Sequence, residues 1–161
     1  MTTKSDYTDE EWAALVRAPI VAGMAISIAD PGGPIEMTKE VMATLRAVTA
    51  PETDAELVTN VSREVAALAQ QRVNPAGDFK PKGTMAGQQV LDELRKVNEI
   101  LNEKSTPDEA AAFRTWLMSA AQQAADAAKE GGFLGFGAEQ VSEGEREMLD
   151  RLASTLGVAE G

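Results

Sequence analysis

The side chains best suited to chemistry in this sequence are carboxylates around two glycine pairs, Gly32-Gly33 and Gly131-Gly132. They are Asp30, Glu36, Glu40, Asp126, Glu130, Glu139 and Glu143. Ca²⁺ and Mg²⁺ bind clustered oxygens, and turns at helix ends can bring carboxylates and backbone carbonyls together. The spacing of an EF-hand is absent, so a second interpretation stays open: Asp30 only starts a turn, and Glu36 only complements a helix N-terminus.

A glycine-rich run, residues 131–137, combines four glycines with three large apolar side chains. A phosphate-binding loop would need a preceding strand or a following Lys-Ser/Thr pair, and this run has neither. Phe133, Leu134 and Phe136 could instead form an exposed hook that binds a partner protein or a second copy of the chain. The alternative is a loop that folds back, so that these three side chains cover the core.

The absence of two residue types removes most catalytic mechanisms. The chain contains no cysteine and no histidine. It therefore cannot form disulfides, thiolate zinc sites, Ser-His-Asp triads or His-ligated metal centres. Paired carboxylates could still support hydrolysis, but no pair stands out from acids at helix-capping positions. We therefore expect a protein that is not an enzyme.

Charge and composition exclude further classes. The chain has 15 Lys and Arg residues against 26 Asp and Glu residues, a formal net charge of −11. Such a surface repels nucleic-acid phosphates and anionic membranes, so we expect neither as a partner. Aromatic residues make up only 4% of the chain, which predicts an alanine-rich core with little room for a large ligand cavity. No apolar leader follows the N-terminus and cysteine is missing, so we expect a cytoplasmic location.

Periodicity and capping signals predict six helices and no strand. They span about residues 8–29, 34–50, 53–72, 85–103, 106–129 and 142–157. Capping boxes, in which Ser or Thr is followed three residues later by Glu, mark helix starts at Thr8, Thr53, Thr106 and Ser142. Pro19 is expected to kink or break the first helix. Residues 1–7 are expected to fray, and residues 73–84 form the longest connection.

Several apolar side chains are candidates for the core. The buried stripe predicted for the second helix is Val41, Leu45 and Val48, at spacings of four and three. Trp12 and Trp116 either seal the core or form a binding hot spot on the surface. Phe79, in the longest connection, has the same two interpretations, as a core anchor or as a binding residue.

The two ends of the chain resemble each other in pattern. A helix rich in small residues, a Gly-Gly turn and a Glu-rich helix occur in residues 8–50 and again in residues 106–157. Small side chains permit close helix crossing, so we expect the two small-residue helices to pack together in a pseudo-twofold arrangement. A chance likeness between two helical hairpins is the alternative. Both interpretations give an all-α bundle with a single domain over residues 1–161.

Two segments resemble the tellurite-resistance TerB-like family. The first is Ala-Ile-Ser-Ile-Ala-Asp-Pro-Gly-Gly, residues 25–33, followed by Lys39-Glu40. The second is Val-Ser-Glu-Gly-Glu, residues 141–145, which leads to Leu156-Gly157. In that family a small-residue helix ends in Ala-Asp-Gly, and a helix with a Ser/Thr-x-x-Glu start follows and ends in Leu-Gly.

The resemblance implies an all-helical, pseudo-twofold protein linked to stress response. Some members of the family bind divalent cations through acids at the helical hairpins. Carried onto this sequence, those acids are Asp30, Glu40 and Glu143, and the implied cofactor is a divalent cation such as Ca²⁺ or Mg²⁺. Pro31 and the insertion at residues 133–140 depart from the family pattern, which weakens the implied metal site more than the fold.

We therefore expect a non-catalytic, acidic, cytoplasmic helical protein that acts as a cation-responsive or stress-response interaction module. The alternative is a protein-interaction subunit or homodimer that uses Phe133, Leu134 and Phe136 in the glycine-rich loop. The two functions differ in their requirements, because the first needs converging carboxylates and the second needs an exposed apolar surface.

Overall fold

The computed structural model describes residues 3–30, 34–129 and 141–158, with the backbone alone at Pro34, Glu36, Ala128 and Lys129. Within these residues the chain forms six α-helices and no strand, so the predicted all-α fold is confirmed. The helices are α1 (Asp9–Ala29), α2 (Pro34–Thr49), α3 (Glu56–Gln70), α4 (Ala86–Lys104), α5 (Pro107–Lys129) and α6 (Glu143–Leu156). Short 3-10 turns, Lys4–Asp6 and Gly83–Met85, precede α1 and α4.

Helix α1 lies at the centre of the bundle and packs against each of the other five. Its length and composition alone would allow it to cross a membrane. However, 61% of its most apolar 18-residue stretch is buried inside the bundle. The helix also continues through Pro19, which is itself buried. Proline removes one backbone donor from the ladder, but here that loss does not divide the helix in two.

Helices α4 and α2 both run antiparallel to α1. Lys104 at the end of α4 contacts Glu11 at the start of α1, while at the other end Gly87 lies beside Ile28. Helix α2 folds back along the second half of α1 and packs closely at Gly23, where a Cβ atom would lie only 2.5 Å from a Thr44 side-chain oxygen. Helix α5 packs against both α1 and α2.

Helices α1 and α5 pack against each other and both bury many small side chains. The alanines that are at most 1% exposed are Ala14, Ala18, Ala22 and Ala25 on α1, and Ala120, Ala121, Ala124 and Ala125 on α5. Side chains of this size let two helix backbones approach closely. The expected packing of the two small-residue helices is therefore confirmed.

Capping boxes explain where three of the six described helices begin. Three predicted capping boxes form: Thr8 with Glu11, Thr106 with Glu109, and Ser142 with Glu145. The fourth prediction is wrong, because α3 begins at Glu56 behind Ala55 and has no side-chain cap. Thr53 accepts a hydrogen bond from the Ala55 backbone N–H at 3.2 Å and so closes a local turn instead.

The aromatic residues anchor the core. Trp12 and Trp116 are each 4% exposed, and the rings of Trp116 and Phe113 meet edge to face with centroids 5.3 Å apart. Residues 3–7, which were expected to fray, hold a defined place, since Tyr7 is buried with its ring centroid 5.7 Å from that of Trp12. Phe79 packs partly buried against the same core, which favours its interpretation as an anchor.

Candidate functional site

The start of α1 and the end of α4 form a region in which polar groups are matched. We call it the paired end and define it by Tyr7, Glu11, Trp12, Glu64 and Lys104. Lys104 Nζ donates to Glu11 at 2.7 Å, and Trp12 Nε1 donates to Glu64 at 2.6 Å. The hydrogen bond from Lys104, together with the Thr8 backbone N–H, lowers the pKa of Glu11, and Glu11 in turn raises the pKa of Lys104.

The opposite end of the bundle gathers carboxylates instead. We call it the acidic end and define it by Asp30 after α1, Glu40 on α2, Asp126 on α5 and Glu145 on α6. The first turn of α6 packs closely against the end of α1. A Cβ atom on Gly144 would lie 2.9 Å from the Ala29 carbonyl oxygen. In the part of the chain that the structure describes, no Lys or Arg pairs with Asp30, Asp126 or Glu145.

The pKa of Glu145 reflects the electrostatics of the acidic end. Its side chain is buried, and burial raises the pKa of the carboxyl above its usual value. The neighbouring carboxylates of Asp30, Glu40 and Asp126 raise the same pKa further, while the hydrogen bond from the Ser142 backbone N–H lowers it. The net direction is upward, so negative charge on Glu145 is disfavoured where it lies.

The structure brings together two of the three predicted metal ligands. Asp30 and Glu40 both lie near Glu145, whereas Glu143 is exposed on the first turn of α6. Glu145, not Glu143, faces the other acids. Across the described ranges no group of three or more acids is arranged to hold a metal ion. Cation binding therefore stays a prediction from the sequence.

Helix α2 is inverted relative to an ordinary surface helix. Its buried face includes Glu40 and Thr44, which are 2% and 4% exposed. Its outer face carries large apolar side chains that are about half exposed or more: Ile35 (69%), Met37 (49%), Val41 (51%) and Met42 (54%). The predicted stripe is wrong at Val41, because that side chain is half exposed, whereas Val48, seven residues further along the same face, is fully buried.

Hydrogen bonds hold the polar face of α2 against α1. The Ser27 hydroxyl donates to a carboxylate oxygen of Glu40, and the Thr44 hydroxyl donates to the Glu40 backbone carbonyl at 2.8 Å. A buried polar group costs free energy unless it is hydrogen-bonded. The Ser27–Glu40 bond therefore helps to fix the rotation of α2 against α1, whereas the Thr44 bond lies within α2.

A groove of about 410 Å³ runs between α1 and α2 and is closed on one side by the segment after α3. We call it the α1–α2 groove. Its lining is mostly apolar and consists of Ile20, Gly23, Met24, Ser27, Ile28, Met37, Glu40, Val41, Thr44, Leu45, Asn74, Pro75 and Pro81. The groove opens at the surface, so it does not contradict the expectation that the alanine-rich core has little room for a large cavity. Because α2 turns polar side chains inward, the apolar ones remain as walls of the groove.

The sequence pattern missed this groove for an identifiable reason. Periodicity places Val41, Leu45 and Val48 on one helix face, but it does not say which face meets α1. The signal that could have indicated it is the four-residue spacing of Met37 and Val41 on α2. The other predicted binding residues, Phe133, Leu134 and Phe136, lie outside the described residues.

Comparison with known proteins adds no relative to this description. No protein-family profile, curated protein or solved structure matches the chain. The resemblance to the TerB-like family therefore stays a prediction from its two segments. The candidate site must be interpreted from its own geometry.

Proposed function

We propose that this protein is a non-catalytic interaction module that binds an apolar segment of a partner protein in the α1–α2 groove. One observation carries the proposal: α2 buries Glu40 and Thr44 and exposes Met37 and Val41. A buried polar group and an exposed apolar patch are the two informative departures from ordinary burial. Here they occur on the same helix.

The free energy of burying apolar side chains favours a bound partner over an uncovered groove. Full burial of a Val, Ile or Met side chain stabilises a structure by roughly 1.5–3 kcal/mol. Ile35, Met37, Val41 and Met42 each keep about half or more of their surface exposed. A segment docked in the groove would cover Met37 and Val41, the two of these side chains that line it, and each would contribute part of such an increment to binding. The ion pairs and capping acids elsewhere on the surface offer no comparable gain.

A hydrophobic dye tests whether the groove is an open binding surface. We expect 4,4′-bis-anilinonaphthalene sulfonate to bind the folded protein with increased fluorescence. The double variant Met37→Glu/Val41→Glu should lose most of that signal, since both charges would lie in the groove wall. Val73→Glu is the matched control, because Val73 is 47% exposed and does not line the groove. Equal dye binding by the groove variant and wild type, with unchanged circular dichroism, would reject the proposal.

A second function, response to a divalent cation, is favoured by one observation. Asp30 and Glu40 both lie near Glu145 at the acidic end. A cation bound there would neutralise mutual repulsion and stabilise the native state by mass action. Thermal melts with excess Ca²⁺ or Mg²⁺ test this function. An upward shift beyond a matched ionic-strength control supports it, and its absence rejects it.

A further inference from the structure

We infer that a small cavity beside Trp116 binds a neutral molecule with several neighbouring hydroxyl groups, of the class of monosaccharides. The cavity lies between α5 and the connection from α2 to α3, and its volume is about 270 Å³. We call it the Trp116 pocket. It shares no lining residue with the α1–α2 groove, so the inference goes beyond the proposed function and does not depend on it.

The indole N–H of Trp116 is a buried donor that needs an acceptor. Trp116 is 4% exposed, and within the described residues its Nε1 atom has no hydrogen-bond partner. Trp12 is equally buried, but its Nε1 donates to Glu64 at 2.6 Å. The ring of Phe113 meets Trp116 edge to face, and an aromatic face is a much weaker acceptor than an oxygen atom. Because an unpaired buried donor costs free energy, a molecule in the pocket that supplies an oxygen atom would gain affinity from this indole.

The polar side chains of the pocket offer both donors and acceptors. On α5, Gln123 Nε2 donates to Ser119 Oγ at 3.3 Å, which leaves the Ser119 proton and the Gln123 carbonyl oxygen for a ligand. In the connection, Thr53 Oγ1 accepts from the Ala55 backbone N–H at 3.2 Å and can still donate its own proton. An alcohol group donates and accepts as well. A molecule with neighbouring hydroxyls therefore matches both kinds of side-chain atom.

Charge disfavours an anion or a cation as the occupant. Glu52 is the charged side chain among the described residues that line the pocket, and it would repel phosphate or carboxylate groups. A cation would pair with Glu52 but could not accept from Trp116, since ammonium groups only donate. Of the charged residues next to the lining in the chain, Arg46 and Asp54 are exposed with opposite signs, and Arg114 donates to two asparagines of α4. These surroundings suit a neutral ligand.

The size and the apolar part of the pocket fit a sugar. Drug-sized ligands fill pockets of roughly 300–1,000 Å³, so a smaller space suits a smaller molecule. Besides the Trp116 ring, the apolar lining consists of Pro51 and three alanines, Ala47, Ala50 and Ala112. A monosaccharide has C–H faces that can lie against such a surface and hydroxyl edges that can reach the polar side chains. Apolar walls with a few placed polar groups are the usual form of a small-molecule site.

The test follows the two indole N–H resonances of the ¹⁵N-labelled full chain, which contains two tryptophans. Trp12→Phe assigns them, because it removes one of the two signals. The wild-type protein is titrated with D-glucose, D-galactose and D-mannose, each to about 100 mM, a range that detects even millimolar affinity. Tetramethylammonium chloride and sodium phosphate serve as charged probes at matched ionic strength. We expect at least one sugar to move the Trp116 signal downfield and saturably, with little change at Trp12.

A variant of the polar wall shows whether the sugar lies in the Trp116 pocket. Thr115→Val/Ser119→Ala removes two hydroxyls from its lining and should weaken the responding sugar about tenfold or more. Ser154→Ala is the matched control, because this exposed serine lies on α6 and does not line the pocket. It should leave the affinity unchanged.

Three results would overturn the inference. One is no saturable shift of the Trp116 signal with any of the three sugars. Another is a shift produced only by tetramethylammonium or phosphate. The third is a sugar affinity that Thr115→Val/Ser119→Ala leaves unchanged. None of them affects the dye test of the α1–α2 groove, so this inference and the proposed function can fail separately.

Discussion

The paired end and the acidic end contain the same local motif in opposite surroundings. At the paired end Glu11 completes the capping box of α1 and accepts a hydrogen bond from Lys104, which lowers its pKa. At the acidic end Glu145 completes the capping box of α6 and is buried beside three other carboxylates, which raises its pKa. Local sequence therefore decides where a helix starts, whereas tertiary packing decides whether its capping acid is electrostatically satisfied.

The apolar residues follow the same division. Tyr7 and Trp12 are buried at the paired end, and each has a polar partner there. Near the acidic end, α2 leaves Met37 and Val41 half exposed. The comparison teaches that one end of the bundle is organised for stability. The other end tolerates buried acids and exposed apolar surface, as binding sites commonly do.

The largest expected effect is the difference in destabilisation between a substitution at the paired end and one in the α1–α2 groove. Trp12→Ala should destabilise the protein by about 3–5 kcal/mol, because it opens a cavity and removes one of the hydrogen-bond donors to Glu64. Met37→Ala in the groove should change stability by less than about 1 kcal/mol, since that side chain is half exposed. Urea unfolding followed by circular dichroism measures both. If Met37→Ala lowers the free energy of unfolding as much as Trp12→Ala does, the two regions do not differ in their contribution to stability.

An intermediate effect is expected where α2 meets α1. Gly23→Ala should destabilise the protein by about 1–3 kcal/mol, because its Cβ would lie 2.5 Å from the Thr44 side-chain oxygen. Gly87→Ala is the matched control on α4, where the nearest atom would lie 3.4 Å away at the tip of Met148. The control should be neutral or slightly stabilising, because alanine has the higher helix propensity. Similar unfolding midpoints for the two variants would mean that α2 does not pack closely on α1.

The smallest effect is expected from the two capping acids. Glutamine can keep the capping-box hydrogen bond while removing the charge. Glu145→Gln should stabilise the protein at pH 7 by up to about 1 kcal/mol, since it removes a charge that burial and Asp30 disfavour. Glu11→Gln should destabilise it, because Lys104 loses its carboxylate partner. Chemical denaturation measures the free energy of unfolding of both variants. Changes of the same sign would contradict the opposite effects expected for the two acids.

The pH dependence of these two acids should also have opposite signs. The pKa of Glu145 is raised in the folded state above its ordinary value of 4.5. Its contribution to stability is therefore fully present below that value and is lost as pH rises through the folded pKa. The pKa of Glu11 is lowered, so its contribution is present above the ordinary value and is lost as pH falls through the folded pKa. The advantage of Glu145→Gln should consequently vanish in acid, as stability curves at pH 4 and pH 7 would show.

The features that were predictable from the sequence are those that depend on residues close together in the chain. Helix starts at Thr8, Thr106 and Ser142 were correct, because a capping box needs only residues three positions apart. The rotation of α2 was not predictable, because it depends on the hydrogen bond from Ser27 on α1 to Glu40 on α2. The sequence likewise favours Glu143 as a metal ligand although Glu145 faces the other acids, since two positions along a helix change the direction of a side chain by about 200°.

The central claim is that the α1–α2 groove, and not the paired end, is the binding surface. Titration of the ¹⁵N-labelled protein with 4,4′-bis-anilinonaphthalene sulfonate, followed by amide chemical shifts, tests it most directly. We predict that the largest shifts fall on groove residues such as Ser27, Met37 and Val41, and that Trp12 and Lys104 change little. Shifts concentrated at the paired end, or none at saturating dye, would contradict it.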